Sequence, residues 1–227
     1  MTGRLTAAAP LDAHPGNGSR TRWTVSTDTL AAIAVAGAMG TSTIVFSEPA
    51  VADVLMAAVI VGLPLLGVTR FGNVSILNIV LWLVLVALGI AACSMSTTFG
   101  TAVTHQVVTL FLALGAFVLA GYVAADPLPR FRLVMLAYVA ACLIATAAAF
   151  AGYFQILPQA YDLFTSYGRA RGTFKDPNVL GAALAPAIVY VAWIALRNPS
   201  RHALLAAAVG LPLVLALLLS FSRGAWA

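Results

Sequence analysis

Seven stretches of this chain are continuously apolar over close to the length a membrane-crossing helix needs: residues 29–46, 51–68, 76–92, 107–124, 133–154, 179–196 and 203–221. No Asp, Glu, Lys, Arg or His stands near the centre of any of them. A helix of about 20 apolar residues satisfies its own backbone hydrogen bonds across hydrocarbon, where a loop or an open sheet edge leaves polar groups bare. The expected fold is therefore all-α, a polytopic transmembrane helical bundle of about seven spans. Composition rules out the alternative of a soluble core. Of 227 residues, 62% are apolar and 8% charged, against about a quarter charged in a soluble domain, and the mean hydropathy is +0.99. So little polar surface cannot cover a water-facing exterior.

The breaks between spans carry turn and charge signals, as in Arg70-Phe71-Gly72-Asn73 and Asp126-Pro127-Leu128-Pro129-Arg130. Segment 94–106 is uncharged apart from His105 and is expected to link the third and fourth spans. Residues 1–28 are polar, lack the apolar core and cleavage pattern of a signal peptide, and read as a disordered cytoplasmic tail. With the N-terminus in the cytoplasm, Arg4, Arg20, Arg22, Arg70, Arg130, Arg132, Arg197 and Arg201 all fall inside, eight of the twelve basic residues. That is the orientation the positive-inside rule favours.

The basic residues are scattered between apolar runs and form no stripe for nucleic acid. Cys93 and Cys142 read as small buried hydrophobes without metal-ligand spacing. Spans without ionisable centres argue against a proton relay or voltage sensor and place any chemistry at the interface. Asp53 and Glu48 read as an acid pair or, preferentially, as helix-capping residues. Pro186, Pro212 and Gly62-Leu-Pro64 read either as kinks that shape a lipid groove or as prolines tolerated for packing, and Gly37-Ala-Met-Gly40 resembles a small-residue packing contact. Tyr153, Tyr161 and Tyr167 flank a basic loop and belong either to an aromatic belt or to a sugar-contacting surface.

That loop, residues 155–178, breaks the charge pattern. It carries Arg169, Arg171 and Lys175 on the expected outer side, and Arg223 follows at the outer end of the seventh span. Such cations are explained either by translocation of a long loop and snorkelling at a helix end, or by function. Asp176 is a candidate N-cap and Pro177 a candidate first residue of the sixth span. Arginines beside a helix N-terminus make a site for phosphate or pyrophosphate at headgroup depth.

Arg171-Gly-Thr-Phe-Lys-Asp-Pro-Asn178 before one apolar helix, and Ser222-Arg223-Gly224-Ala225 ending the next, resemble the paired motifs of the O-antigen ligase and polymerase family. The layout from the first span onward is similar to the N-terminal half of such proteins. The resemblance implies a metal-independent glycosyltransferase of the GT-C class in the bacterial inner membrane, needing no cofactor. It would take a glycan from undecaprenyl pyrophosphate on the periplasmic face and attach it to lipid A core, another glycan or a protein hydroxyl. Residues matching Arg171 and Arg223 would act catalytically, neutralising the pyrophosphate as it leaves. Arg169, Lys175, Asn178 and Ser222 would bind the donor.

Family members run to about twice this length, and their later part holds the histidine that activates the acceptor hydroxyl. The chain is accordingly expected to be an N-terminal part without its general base. His14 and His202 are expected on the cytoplasmic side, and His105 reads as an ordinary loop residue rather than a base. Two other classes stay open: a transporter or lipid flippase for an anionic substrate, and a non-catalytic scaffold that binds anionic lipid.

Overall fold

The computed structural model describes residues 26–46, 50–197 and 199–226, with side chains at all of these except 74, 199–202 and 205. Most of the proposed tail, Glu48, His14, and the side chains of Arg201 and His202 lie outside the described residues. The described chain is almost wholly helical: α1 (Thr27–Thr41), α2 (Val51–Leu65), α3 (Asn73–Cys93), α4 (Phe99–Ala125), α5 (Pro127–Tyr153), α6 (Ala160–Phe164), α7 (Pro177–Arg197), α8 (Pro199–Leu219) and α9 (Arg223–Trp226). One antiparallel hairpin, β1 (Thr165–Ser166) with β2 (Arg169–Ala170), sits between α6 and α7.

Four stretches are long and apolar enough to cross a membrane: Ser75–Cys93, Phe99–Ala125, Pro127–Tyr153 and Pro177–Arg197. Val51–Leu65 and Ala206–Leu219 are apolar but shorter. The chain is thus an all-α membrane protein. The helices differ from the apolar runs for local reasons. α1 stops at Thr41, five residues before the run does, where Thr41 Oγ1 donates to Gly37 O (2.9 Å) and Ser42 Oγ to Met39 O (2.7 Å). Hydroxyls that bond back to the preceding turn compete with helix continuation. α2 ends in a Schellman cap: Gly67 takes φ +68°, its N–H donates to Pro64 O, and the Val68 N–H reaches Leu63 O. In the other direction, α4 begins at Phe99, so His105 lies on a helix and most of the expected 94–106 link is helical. α5 starts at Pro127, where a missing N–H costs nothing, rather than after Arg132.

Two packed groups make up the bundle. Ala31, Val35, Val59, Leu63, Val118 and Tyr122 join α1, α2 and α4. Cys142, Ala145, Leu180, Leu184, Leu213 and Ala216 join α5, α7 and α8. Ala141, Ala145 and Ala149 repeat every turn of α5 and are fully buried, because small side chains let neighbouring backbone come close. Among the described residues the anticipated contact at Gly37 and Gly40 is not made; a Cβ at either would meet none of them within 4 Å. Pro186 lies inside the continuous helix α7, and the nearby Ala183 carbonyl accepts the Tyr138 hydroxyl at 2.6 Å. α3 touches α4 and leaves nearly all of its apolar surface outward, as a lipid-facing helix does.

α1, α3, α5 and α8 start at one end of the bundle, and α2, α4 and α7 start at the other. Arg70, Arg130, Arg132 and Arg197 gather at the first end. The hairpin, α6 and α9 sit at the second, which is the site end.

Candidate functional site

The site end is assembled by backbone hydrogen bonds that only its sequence permits. α5 closes with a second Schellman cap, in which Gln155 adopts φ +53°, its N–H donates to Gly152 O, and the Ile156 N–H donates to Ala151 O. The chain turns there into α6 and then into the hairpin, whose tip is Tyr167-Gly168 with φ +52° and +72°, the signature of a type I′ turn. Tyr167 stands fully exposed at that tip.

Beyond β2 the motif Arg171–Asn178 is a platform. Gly172 has φ +55°, and a Cβ there would lie 2.6 Å from the Ala145 carbonyl oxygen; both facts demand glycine. Thr173 is buried, donates through Oγ1 to Thr43 O, and accepts the Val45 N–H at 3.1 Å. Thr43 Oγ1 in turn donates to Ala141 O at 2.9 Å. These threonines clamp the platform to the segment after α1 and to α5, and no local sequence signal marks either. Phe174 is buried in the α5–α7–α8 core.

Asp176 caps α7 as expected. Its Oδ1 accepts the Asn178 N–H at 2.6 Å, and its carbonyl accepts Val179 and Leu180 N–H at 3.2 Å each. Pro177 has no N–H to offer. The first donors of α7 are therefore already used, and the helix N-terminus adds little to an anion site beyond its dipole.

Arg169 joins the two motifs. Its Nε donates to Ser220 O (2.8 Å) and its Nη2 to Asn178 Oδ1 (2.8 Å) and Phe221 O (3.2 Å). A cation on the last carbonyls of α8 satisfies groups that a helix end leaves unpaired. Gly181 on α7 lies so close to the next turn that a Cβ would meet Ser222 Cβ at 2.8 Å and Ala225 Cβ at 2.9 Å. Ser222 is buried, its carbonyl accepts Ala225 and Trp226 N–H, and it opens α9. The segments carrying Arg171–Asn178 and Ser222–Ala225 thus touch, through Gly181 and Arg169.

The predicted residues now divide by what they do. Arg169, Asn178 and Ser222 hold the structure. Arg171 Nη2 donates to Asp162 O (3.2 Å) and Leu163 O (3.1 Å) at the end of α6, while its Nε is buried with no hydrogen-bond partner among the described residues. Arg223 is exposed at the start of α9. Lys175 is exposed and lines a groove beside Asp53 between α1, α2 and α4. Asp53 itself accepts the Ala50 N–H at 2.7 Å and caps α2, the preferred of its two readings.

Comparison with family models, with curated proteins and with solved structures finds no match. What the site does must be argued from its own groups. Arg169, Arg171 and Arg223 stand at the same end of the bundle, and guanidinium groups offer charge-assisted hydrogen bonds to an anion. Acid–base chemistry has no comparable arrangement there among the described residues. Of the nearby carboxylates, Asp176 is engaged as a helix cap and Asp162 is exposed on α6.

Proposed function

We propose that this chain binds the donor of an O-antigen ligase-like glycosyltransferase, a glycan carried on undecaprenyl pyrophosphate. Transfer runs to lipid A core or another glycan acceptor on the periplasmic face of the bacterial inner membrane. The proposal includes a seven-span, GT-C-like bundle with its N-terminus in the cytoplasm. α1, α2 and α8 complete the spans in this arrangement, and the basic residues at the opposite end satisfy the positive-inside rule. Arg171 and Arg223 neutralise the pyrophosphate as it departs, an electrostatic contribution made where charge develops.

The observation that carries this reading is the meeting of two separate arginine-bearing segments at one end of the bundle, with Arg171 Nε buried and unpaired. A buried donor without an acceptor is costly in a finished structure and is relieved by a ligand oxygen.

The test is binding of undecaprenyl pyrophosphate to detergent-solubilised protein carrying Arg223→Ala or Arg171→Ala. Loss of one hydrogen-bonded charge contact of about 1.5–3 kcal/mol weakens binding by about 10- to 100-fold. Arg223→Ala leaves the melting midpoint unchanged, since the side chain is exposed. Unaltered affinity in both variants overturns the reading.

A further inference from the structure

A groove opens between α1, α2 and α4 at the site end and is bordered on one side by Phe174 and Lys175 of the platform and by Val179 of α7. Two connected hollows, of about 390 and 620 Å³, share Val45, Asp53, Phe111 and Leu112. The larger runs down between α2 and α4 past Ala57, Val107 and Val108. The smaller reaches Lys175 on the platform before α7. Its walls are apolar, as the flank of a membrane helix must be, but its mouth bears two opposite charges.

Asp53 is half-buried at that mouth. One of its oxygens accepts the Ala50 N–H, and the carboxylate forms no ion pair among the described residues. A carboxylate bordering an apolar groove gains from a cation that comes with the ligand. Lys175, with three N–H donors, offers charge to an acceptor oxygen while keeping other contacts. A single amphiphile matches both: cationic at the tip of its headgroup, anionic next to it, and apolar below.

We propose that the α2–α4 groove holds one glycerophospholipid with a primary-amine, zwitterionic headgroup. Its ammonium pairs with Asp53, its phosphate with Lys175, and an acyl chain lies along Ala57, Val107 and Val108. An isoprenoid phosphate matches less well, because it carries no cation for Asp53 and its charge repels that carboxylate. The lipid braces α2 against α4 next to the platform, independently of whatever anion the arginines bind.

The experiment is native mass spectrometry of the delipidated full chain titrated with dioleoyl phosphatidylethanolamine, phosphatidylcholine, phosphatidylglycerol and undecaprenyl phosphate. Ethanolamine lipid binds tightest, by up to about fivefold, the range of one partly exposed ion pair. A quaternary amine has no N–H to give, and a glycerol headgroup no cation. Asp53→Asn erases that preference. Because Asp53 also caps α2, a second variant, Ala57→Trp, fills the groove without touching the cap and lowers binding of every diacyl lipid. Equal binding of the three phospholipids overturns the proposal. So does indifference to Ala57→Trp, and so does a preference for undecaprenyl phosphate that Ala57→Trp abolishes.

Discussion

Arg130 and Arg171 stand at opposite ends of the bundle, each where helices meet, and they are used in opposite ways. The Arg130 guanidinium donates through Nη1 to Val68 O and Tyr122 O, pairs through Nη2 with Asp28 at 3.0 Å, and lies 4.4 Å over the Tyr122 ring. It ties the start of α1, the end of α2, the end of α4 and the start of α5 into one corner. The Arg171 guanidinium makes two bonds through a single nitrogen and leaves Nε buried and unpaired. An arginine engaged through both terminal nitrogens by three partners is part of the frame. Arg171 has a buried donor with no partner among the described residues, the one feature of it that supports the proposed anion contact.

The largest effect that would sharpen this contrast comes from the platform beneath Arg171. Gly172→Ala forces an L side chain into φ +55° and drives its Cβ to 2.6 Å from the Ala145 carbonyl oxygen, a backbone atom that cannot step aside. Left-handed strain and overpacking together cost about 3 kcal/mol. The midpoint of thermal unfolding in detergent falls markedly, and ligand binding at Arg171 falls with it. A Gly172→Ala protein that melts like the parent would mean the platform is loose and the arginine is not held by it.

Next in size is Arg130→Met, which keeps much of the aliphatic stem and removes the guanidinium. Val68 O and Tyr122 O then lose their donor at a half-buried corner, a loss of about 2–3 kcal/mol. Arg171→Met removes two exposed carbonyl contacts and relieves one buried unpaired donor, so its melting midpoint shifts far less. Arg130→Lys decides whether charge or geometry matters at the corner. A surface charge obeying only the positive-inside rule tolerates lysine, whereas a forked clamp on three partners does not. Comparable midpoints for Arg130→Met and Arg171→Met would break the comparison.

The local grammar of the fold is visible in the sequence, and its long-range clamps are not. Asp176-Pro177 marks the start of α7 because a cap and its N1 proline act within one turn. The four long apolar stretches are legible because hydrocarbon imposes their length. α1 is misjudged by apolarity alone, since residues 42–46 leave the helix to meet the platform, and nothing local marks Thr43 as a partner of Thr173 across 130 positions. Arg130 reads from sequence as one more cytoplasmic charge, because the carbonyls that engage it come from residues far along the chain or hidden in helix ends. At the site the residue types are legible and their division of labour is not. Arg169 and Arg171 differ by two positions, yet one closes α8 and the other keeps an open donor. Asn178 and Ser222 belong to the motifs through structural bonds that spacing does not encode.

The smallest effect tests where the Arg130 corner draws its strength. Asp28 is the only acid among the described residues bonded to Arg130, but its side chain is 71% exposed while that of Arg130 is 15% exposed. Water and salt screen such a half-wet pair, so Asp28→Asn costs about 0.5 kcal/mol or less, and the loss shrinks as ionic strength rises. The two carbonyl bonds and the aromatic face are unaffected by salt and remain. The corner therefore holds by satisfying helix-end carbonyls, with the ion pair as a minor addition. An Asp28→Asn protein destabilised as much as Arg130→Met would reverse that order and make the corner an electrostatic lock. Its stability would then fall steeply between low and high salt, which the same melting experiment reads directly.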